Sequence, residues 1–139
     1  MKRWRWSMIP AIIVGMVVFA MSIYSAEENF LKKGSEGGIA FLSGGIGQHE
    51  REILKKMGKD YSLKLIFSNR KSEYLSDVMV TVFNHKDEKI LFTVSFGPWL
   101  FIDLPSGMFN LEASFQGGRK KVSQIRLEKG TQKVHAIQW

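Results

Sequence analysis

Three histidines, a few carboxylates and scattered serines are the side chains to weigh first for reaction chemistry in this 139-residue sequence, which contains no cysteine. That absence removes thiol nucleophiles, disulfide frameworks, cysteine-ligated zinc, iron–sulfur clusters and the cysteine of a bacterial lipid anchor. A zinc-hydrolase helix needs a second histidine four residues after the first. Here His49-Glu50 is followed by Ile53 at that position. His85 falls in a charged turn and His135 in the last apolar stretch, so nothing in the spacing joins the three. Glu50 and Glu52 stand two apart on a predicted helix and do not share a face, which an acid–base pair would require. Asp77 and Asp103 show no pairing pattern, and Ser43 and Ser106 lack the Gly-x-Ser-x-Gly setting that activates a serine. The glycines between Gly34 and Gly47 are not followed by the Gly-Lys-Ser/Thr of a phosphate loop. The expectation is a non-enzymatic protein with no catalytic, cofactor-binding or metal-ligating residues.

The opening segment directs the protein out of the cytoplasm. Lys2, Arg3 and Arg5 precede an apolar run from Met8 to Tyr24, and Glu27 and Glu28 end it. A positive stretch followed by about 17 apolar residues is the order of a signal peptide, and its length is at the short limit of a membrane span. Both a cleaved signal and a retained anchor fit residues 1–26, with cleavage favoured near Ser25 or Ala26. The charged start stays cytoplasmic in either case, so the remainder faces the periplasm or is secreted, or is held outside the cytoplasm by an inner-membrane anchor. The whole chain carries a net charge of +7. Removing Lys2, Arg3 and Arg5 leaves 17 basic against 13 acidic residues, a difference of +4. A translocated chain of that charge, with Arg119-Lys120-Lys121 its one run of three basic residues, does not read as a nucleic-acid binder. Membrane contact is expected only through an uncleaved N-terminus.

Residues 27–59 read as a glycine-rich lead and a short helix. In Gly34–Gly47 the triplet Gly37-Gly38-Ile39 recurs as Gly44-Gly45-Ile46, with Ala40, Phe41 and Leu42 between. Glycine costs most backbone entropy to order, so this piece reads as a linker that drapes its apolar middle over the domain, or as a segment that docks on a partner. Gln48 to Met57 places acids early, lysines late, and Ile53, Leu54 and Met57 along one edge, which predicts an amphipathic helix ended by Gly58. Residues 60–139 then change to a period of two. Seven alternating runs follow, starting near Tyr61, Val78, Ile90, Trp99, Phe109, Lys121 and Gln132, with Gly, Pro and Asn clusters between them. The fold expected is all-β: a seven-stranded antiparallel sandwich preceded by a short helix and the N-terminal signal segment.

The segment Leu104-Pro105-Ser106-Gly107-Met108-Phe109 resembles the Leu-Pro-x-Gly-x-(Tyr/Phe) motif of transthyretin-like sandwiches, including the carboxypeptidase regulatory-like domain. With GGIGQHEREIL, YSLKLIFS, EYLSDVMVTVF and FGPWLFIDLPSG in this order, the chain is similar to a family of small exported proteobacterial proteins that carry such a domain. The resemblance implies a transthyretin-like, Ig-like sandwich and no catalytic residue, because the regulatory-like domain holds no metal ligands and no peptidase domain accompanies it.

The function expected is binding of an envelope protein, a peptide or a glycan through sheet edges, turns or the glycine-rich segment. The alternatives are carriage of a small hydrophobic ligand between the sheets and a membrane-anchored accessory role. Ile39, Phe41, Leu42, Ile46, Trp99 and Phe101 are singled out as partner-binding, against the competing expectation that Trp99 closes the core. Asp103, which interrupts an apolar run, is expected to accept backbone N–H groups from the turn after it.

Overall fold

The computed structural model describes residues 31–139; the segment expected to direct export and the rest of the chain before Leu31 lie outside them. Among the described residues, nine strands form two sheets. They are β1 (Leu31–Glu36), β2 (Ile39–Gly44), β3 (Leu63–Ser68), β4 (Met79–Phe83), β5 (Lys89–Val94), β6 (Trp99–Ile102), β7 (Gly107–Phe115), β8 (Gly118–Leu127) and β9 (Lys133–Gln138). One helix, α1 (Gln48–Met57), lies between β2 and β3, at the bounds that the charge order and apolar edge predict. The first sheet runs β1-β2-β6-β3-β9 and the second β5-β4-β7-β8.

Two features correct the sequence reading. The strand count is nine rather than seven, because the glycine-rich lead is a β1–β2 hairpin built into the first sheet, with Phe41 paired to Ile102 and Leu42 to Phe101. Gly34 explains why a strand can look like a linker. It faces Phe41 across the hairpin, and a Cβ there would land on the Phe41 ring, so glycine marks a close approach inside a strand. The sandwich is also not wholly antiparallel, since β3 and β9 pair in parallel. The β8–β9 connection crosses from the second sheet to the first, and it delivers β9 to the same end from which β3 starts. Alternation sets which face a residue takes and is blind to strand direction.

The core fills the space between the sheets. Leu63, Leu65 and Phe67 of β3 and Leu100 and Ile102 of β6 meet Val80 and Val82 of β4 and Leu111 and Ala113 of β7, all buried. Every second residue of β3 and β4 points inward, as period-two patterning requires. The β6 strand is different: all four of its residues are buried, because α1 covers the outer face of its sheet. Leu54 of the helix packs there with Leu42, Trp99 and Phe101. The helix is held at both ends. Glu50 Oε2 accepts the Gly47 N–H at 3.0 Å, and the Gly58 N–H donates to the Leu54 carbonyl at 2.7 Å.

Two hairpin-like connections are built alike. Asn69-Arg70-Lys71-Ser72-Glu73 and Asn84-His85-Lys86-Asp87-Glu88 each place the asparagine Oδ1 between the N–H groups two and four residues on, at 2.9 and 3.0 Å. The fourth residue of each, Ser72 or Asp87, has φ near +60°. The asparagine carboxamide thereby replaces the backbone partners that the turn cannot supply.

Lys64 is a buried charged residue of the helix-covered layer. It is 8% exposed, with Nζ 3.5 Å from the Trp99 ring centroid and 5.4 Å from that of Phe101. Burial pushes its pKa below the usual lysine value of 10.5, and the nearby Lys55 adds to the shift. The sign of the consequence is fixed: between the lowered folded value and 10.5 the unfolded chain holds a proton that the folded chain has released, so stability gains with pH. Tyr61 opposes this only above the usual tyrosine value of 10.0, because burial and Asp103 raise its pKa in the folded state. Denaturant titrations across the alkaline range below pH 10 are expected to show Lys64 contributing a rise in stability, and Lys64→Met is expected to flatten it. An identical slope in the two proteins would show that the lysine is not desolvated.

Candidate functional site

The strands run between two ends of the sandwich, and the connections at one end build grooves. That end gathers the β1–β2 turn at Gly37-Gly38, the α1–β3 connection 58–62, the β4–β5 turn 84–88, the β6–β7 turn 103–106 and the β8–β9 connection 128–132. A groove of about 970 Å³ opens on one side of the Asp103–Gly107 turn. Ile39, Ile90, Leu104 and Phe109 give it an apolar floor, and Asn84, His85, Asp103 and Ser106 give it polar groups. A second groove, of about 450 Å³, lies on the other side of the same turn. It is lined by Lys59, Asp60, Tyr61, Glu128, Lys129 and Gln132, among others.

The backbone around the grooves is held by side chains of the neighbouring connections. Ser62 Oγ accepts the Leu104 N–H at 2.8 Å and donates to the Ile102 carbonyl at 3.3 Å. The cap expected of Asp103 is therefore supplied by Ser62, and the Asp103 side chain is exposed beside both grooves. The Asp103 N–H donates to the Ala40 carbonyl at 2.9 Å, which ties the turn to β2. Gln132 Nε2 donates to the carbonyls of Gly58 and Tyr61 at 2.7 and 2.9 Å, joining the last connection to the end of the helix. Gly37 and Gly38 have φ of +57° and +81°, and no atom lies within 4 Å of a Cβ built at Gly38. Glycine serves there for conformation and leaves the groove rim low. Electrostatically, Asp103 raises the Tyr61 pKa further after burial has done the larger part, so the Tyr61 hydroxyl remains protonated through neutral pH.

Of the six residues singled out from the sequence, Ile39 lines the larger groove. Phe41 and Leu42 are buried in the two packed layers, as are Trp99 and Phe101. Those four are packing residues, and Trp99 closes the helix-covered layer as the competing expectation held. Ile46 is 66% exposed at the opposite end of the sandwich. The structure thus does not gather the six into one surface. The residues that sequence reasoning missed are Asn84, His85 and Ser106, which read as turn punctuation or as isolated reactive groups; only the convergence of three turns makes them neighbours of one groove.

His85, Asp103 and Ser106 border the same groove, yet among the described residues no hydrogen bond joins any two of them, and nucleophile activation rests on such contacts. Among the described residues there is also no group of three or more histidine, aspartate or glutamate side chains able to hold a metal ion. No described helix is long and apolar enough to cross a membrane. Comparison with protein-family models and with curated proteins finds no match to this chain.

Proposed function

We propose that this protein is an exported, non-enzymatic β-sandwich module, of the carboxypeptidase regulatory-like and transthyretin-like kind, that binds an extended segment of another envelope protein at its loop end. The observation that carries the reading is the pair of adjoining grooves on either side of the Asp103–Gly107 turn. Binding residues concentrate on connections held by a rigid scaffold, and a recognition groove combines an apolar floor with a few fixed polar groups. Both conditions are met by Ile39, Ile90 and Phe109 below Asn84, Asp103 and Ser106. The export segment Lys2 to Ala26 supports a partner outside the cytoplasm. A hydrophobic ligand between the sheets would have to displace Phe67, Leu100 and Leu111, each buried to 2% exposure or less, and no observation favours that second reading.

Site-specific photocrosslinking in intact cells tests the proposal. A photoreactive benzoylphenylalanine in place of Ser106 is expected to give a defined adduct with one envelope protein, and the same group at Lys121 on β8 is expected to give none. Equal adduct patterns from the two positions, or none from Ser106, would remove the groove from the account.

A further inference from the structure

The two grooves share one wall, the turn that begins at Asp103, and Asp103 borders both of them. It follows the four buried residues of β6 and precedes buried Leu104, yet its own side chain is exposed. Aspartate is among the residues that strands disfavour. The turn makes no use of it either. The Leu104 N–H donates to Ser62 Oγ, the Asp103 N–H donates to the Ala40 carbonyl, and Pro105 has no N–H to offer. Among the described residues no hydrogen bond reaches the Asp103 carboxylate, and the one ion pair is that of Arg119 with Glu112. A side chain that breaks a local rule without serving the fold marks a place to look for function.

Its surroundings narrow what it can hold. Alternation along β6 sets Asp103 on the side of Trp99 and Phe101, and there Tyr61 meets Phe101 edge-on at a centroid distance of 6.1 Å. Tyr61 is half-buried, lines the smaller groove together with Asp103, and feels its charge. A carboxylate beside a fixed aromatic ring suits a guanidinium, which donates hydrogen bonds in its plane and stacks its face on the ring. The larger groove is lined by no lysine or arginine; Asp103 and His85 are its titratable residues, above an apolar floor. The smaller groove has Asp60, Asp103 and Glu128 against Lys59 and Lys129, three carboxylates to two ammonium groups, and neither lysine pairs with Asp103.

We propose that the segment taken by the grooves carries an arginine that pairs with Asp103 against the Tyr61 ring, close in sequence to an apolar side chain seated over Ile39, Ile90 and Phe109. The proposal rests on the groove reading and adds to it the chemistry of the segment. The apolar residue supplies contact area in the larger groove. The arginine sets direction, because the ring lines the smaller groove and not the larger. Only the Asp103–Gly107 turn separates the two, so the anchors fall within about three extended residues, roughly 10 Å of chain.

A peptide library displayed on phage and selected on the immobilised protein, in the form in which cells hold it, supplies the probes. Peptides retained by the parent protein and lost by Ser106→Trp are expected to carry arginine within about three residues of an apolar residue. Replacing that arginine by alanine is expected to weaken binding about fivefold to the parent protein and less than about twofold to Asp103→Asn, the size of a partly exposed ion pair. Selection on Asp103→Arg is expected to reverse the preference and enrich aspartate or glutamate at the same place. The exposed side chain and the Ser62 contact predict an unchanged melting temperature for Asp103→Asn. Peptides lost by Ser106→Trp that hold no arginine, or whose arginine matters equally to the parent and to Asp103→Asn, overturn this inference and leave the groove reading standing. If Ser106→Trp weakens none of the selected peptides, the groove reading fails and the inference fails with it.

Discussion

Replacing Trp99 by alanine is expected to lower the unfolding free energy by about 3–5 kcal/mol, the usual cost of deleting a buried large aromatic side chain. The size follows from where the ring sits. Trp99 is 8% exposed between Leu54 of the helix, Leu42 of β2 and Phe101 of its own strand. Its ring meets Phe101 edge-on at a centroid distance of 6.3 Å, and Lys64 Nζ lies 3.5 Å over it. Alanine would open a cavity under the helix and strip the buried ammonium of its nearest favourable contact. Trp99→Phe separates ring from indole. The indole Nε1–H is buried without a hydrogen-bond partner among the described residues, a cost of about 1–3 kcal/mol that phenylalanine does not carry. Phenylalanine is smaller and loses some packing, so the two effects oppose each other, and Trp99→Phe is expected to stay within about 1 kcal/mol of the parent. Urea titrations monitored by circular dichroism measure both. Equal losses in the two variants would mean that the indole itself, rather than the ring's bulk, supports the layer.

Gly97→Ala is expected to cost about 3 kcal/mol, the upper end of what overpacking does to a fold. A Cβ at Gly97 would stand 2.8 Å from the Gly44 Cα and closer still to its carbonyl group. Backbone cannot rotate aside as a side chain can. Relief therefore requires the 95–98 connection to move away from the end of β2, and that connection carries the Pro98 carbonyl that accepts the Phe67 N–H at 2.9 Å and the Ser95 groups that bond Asp77 and Val78. Gly130→Ala is the informative contrast. Its φ is +82° and no atom lies within 4 Å of a Cβ built there, so it is expected to lose only the cost of a left-handed residue, about 1 kcal/mol. Thermal unfolding of the two variants compares them directly; a Gly97→Ala protein as stable as Gly130→Ala would show that β2 and the 95–98 connection are not locked together.

The parts of this fold that the sequence makes legible are those written in periodicity. Val78, Val80 and Val82 all face the core and are fully buried, and the acid-to-base order of Gln48–Met57 marks the helix at its observed bounds. The β1–β2 hairpin escapes the same reading because its glycines are there for contact and turn geometry, Gly34 under the Phe41 ring and Gly37-Gly38 at positive φ. Composition scores such residues as flexible when tertiary packing has made them necessary. The parallel β3–β9 pair escapes because sheet partners are chosen by connections that cross between layers. The grooves were the least legible of all. Each of their walls is a turn recognisable from its own residues, but which turns share an end is decided by strand number, and the two unrecognised strands bring Gly37-Gly38 and Ile39 to the larger groove. At Asp103 the position before a Pro-Ser-Gly turn suggests a cap, whereas the oxygen that accepts the Leu104 N–H comes from Ser62, 42 residues before Leu104 in sequence.

The loop-end grooves are proposed to take an extended protein segment. The most direct test is the affinity of the segment crosslinked from Ser106, made as a synthetic peptide, for the parent protein and for Ser106→Trp. Ser106 is exposed on the groove-lining turn, so the indole fills space without entering the core. The expected result is a loss of affinity of about tenfold or more, near 1.4 kcal/mol, with an unchanged melting temperature. Equal affinity of the two proteins for the peptide would contradict it.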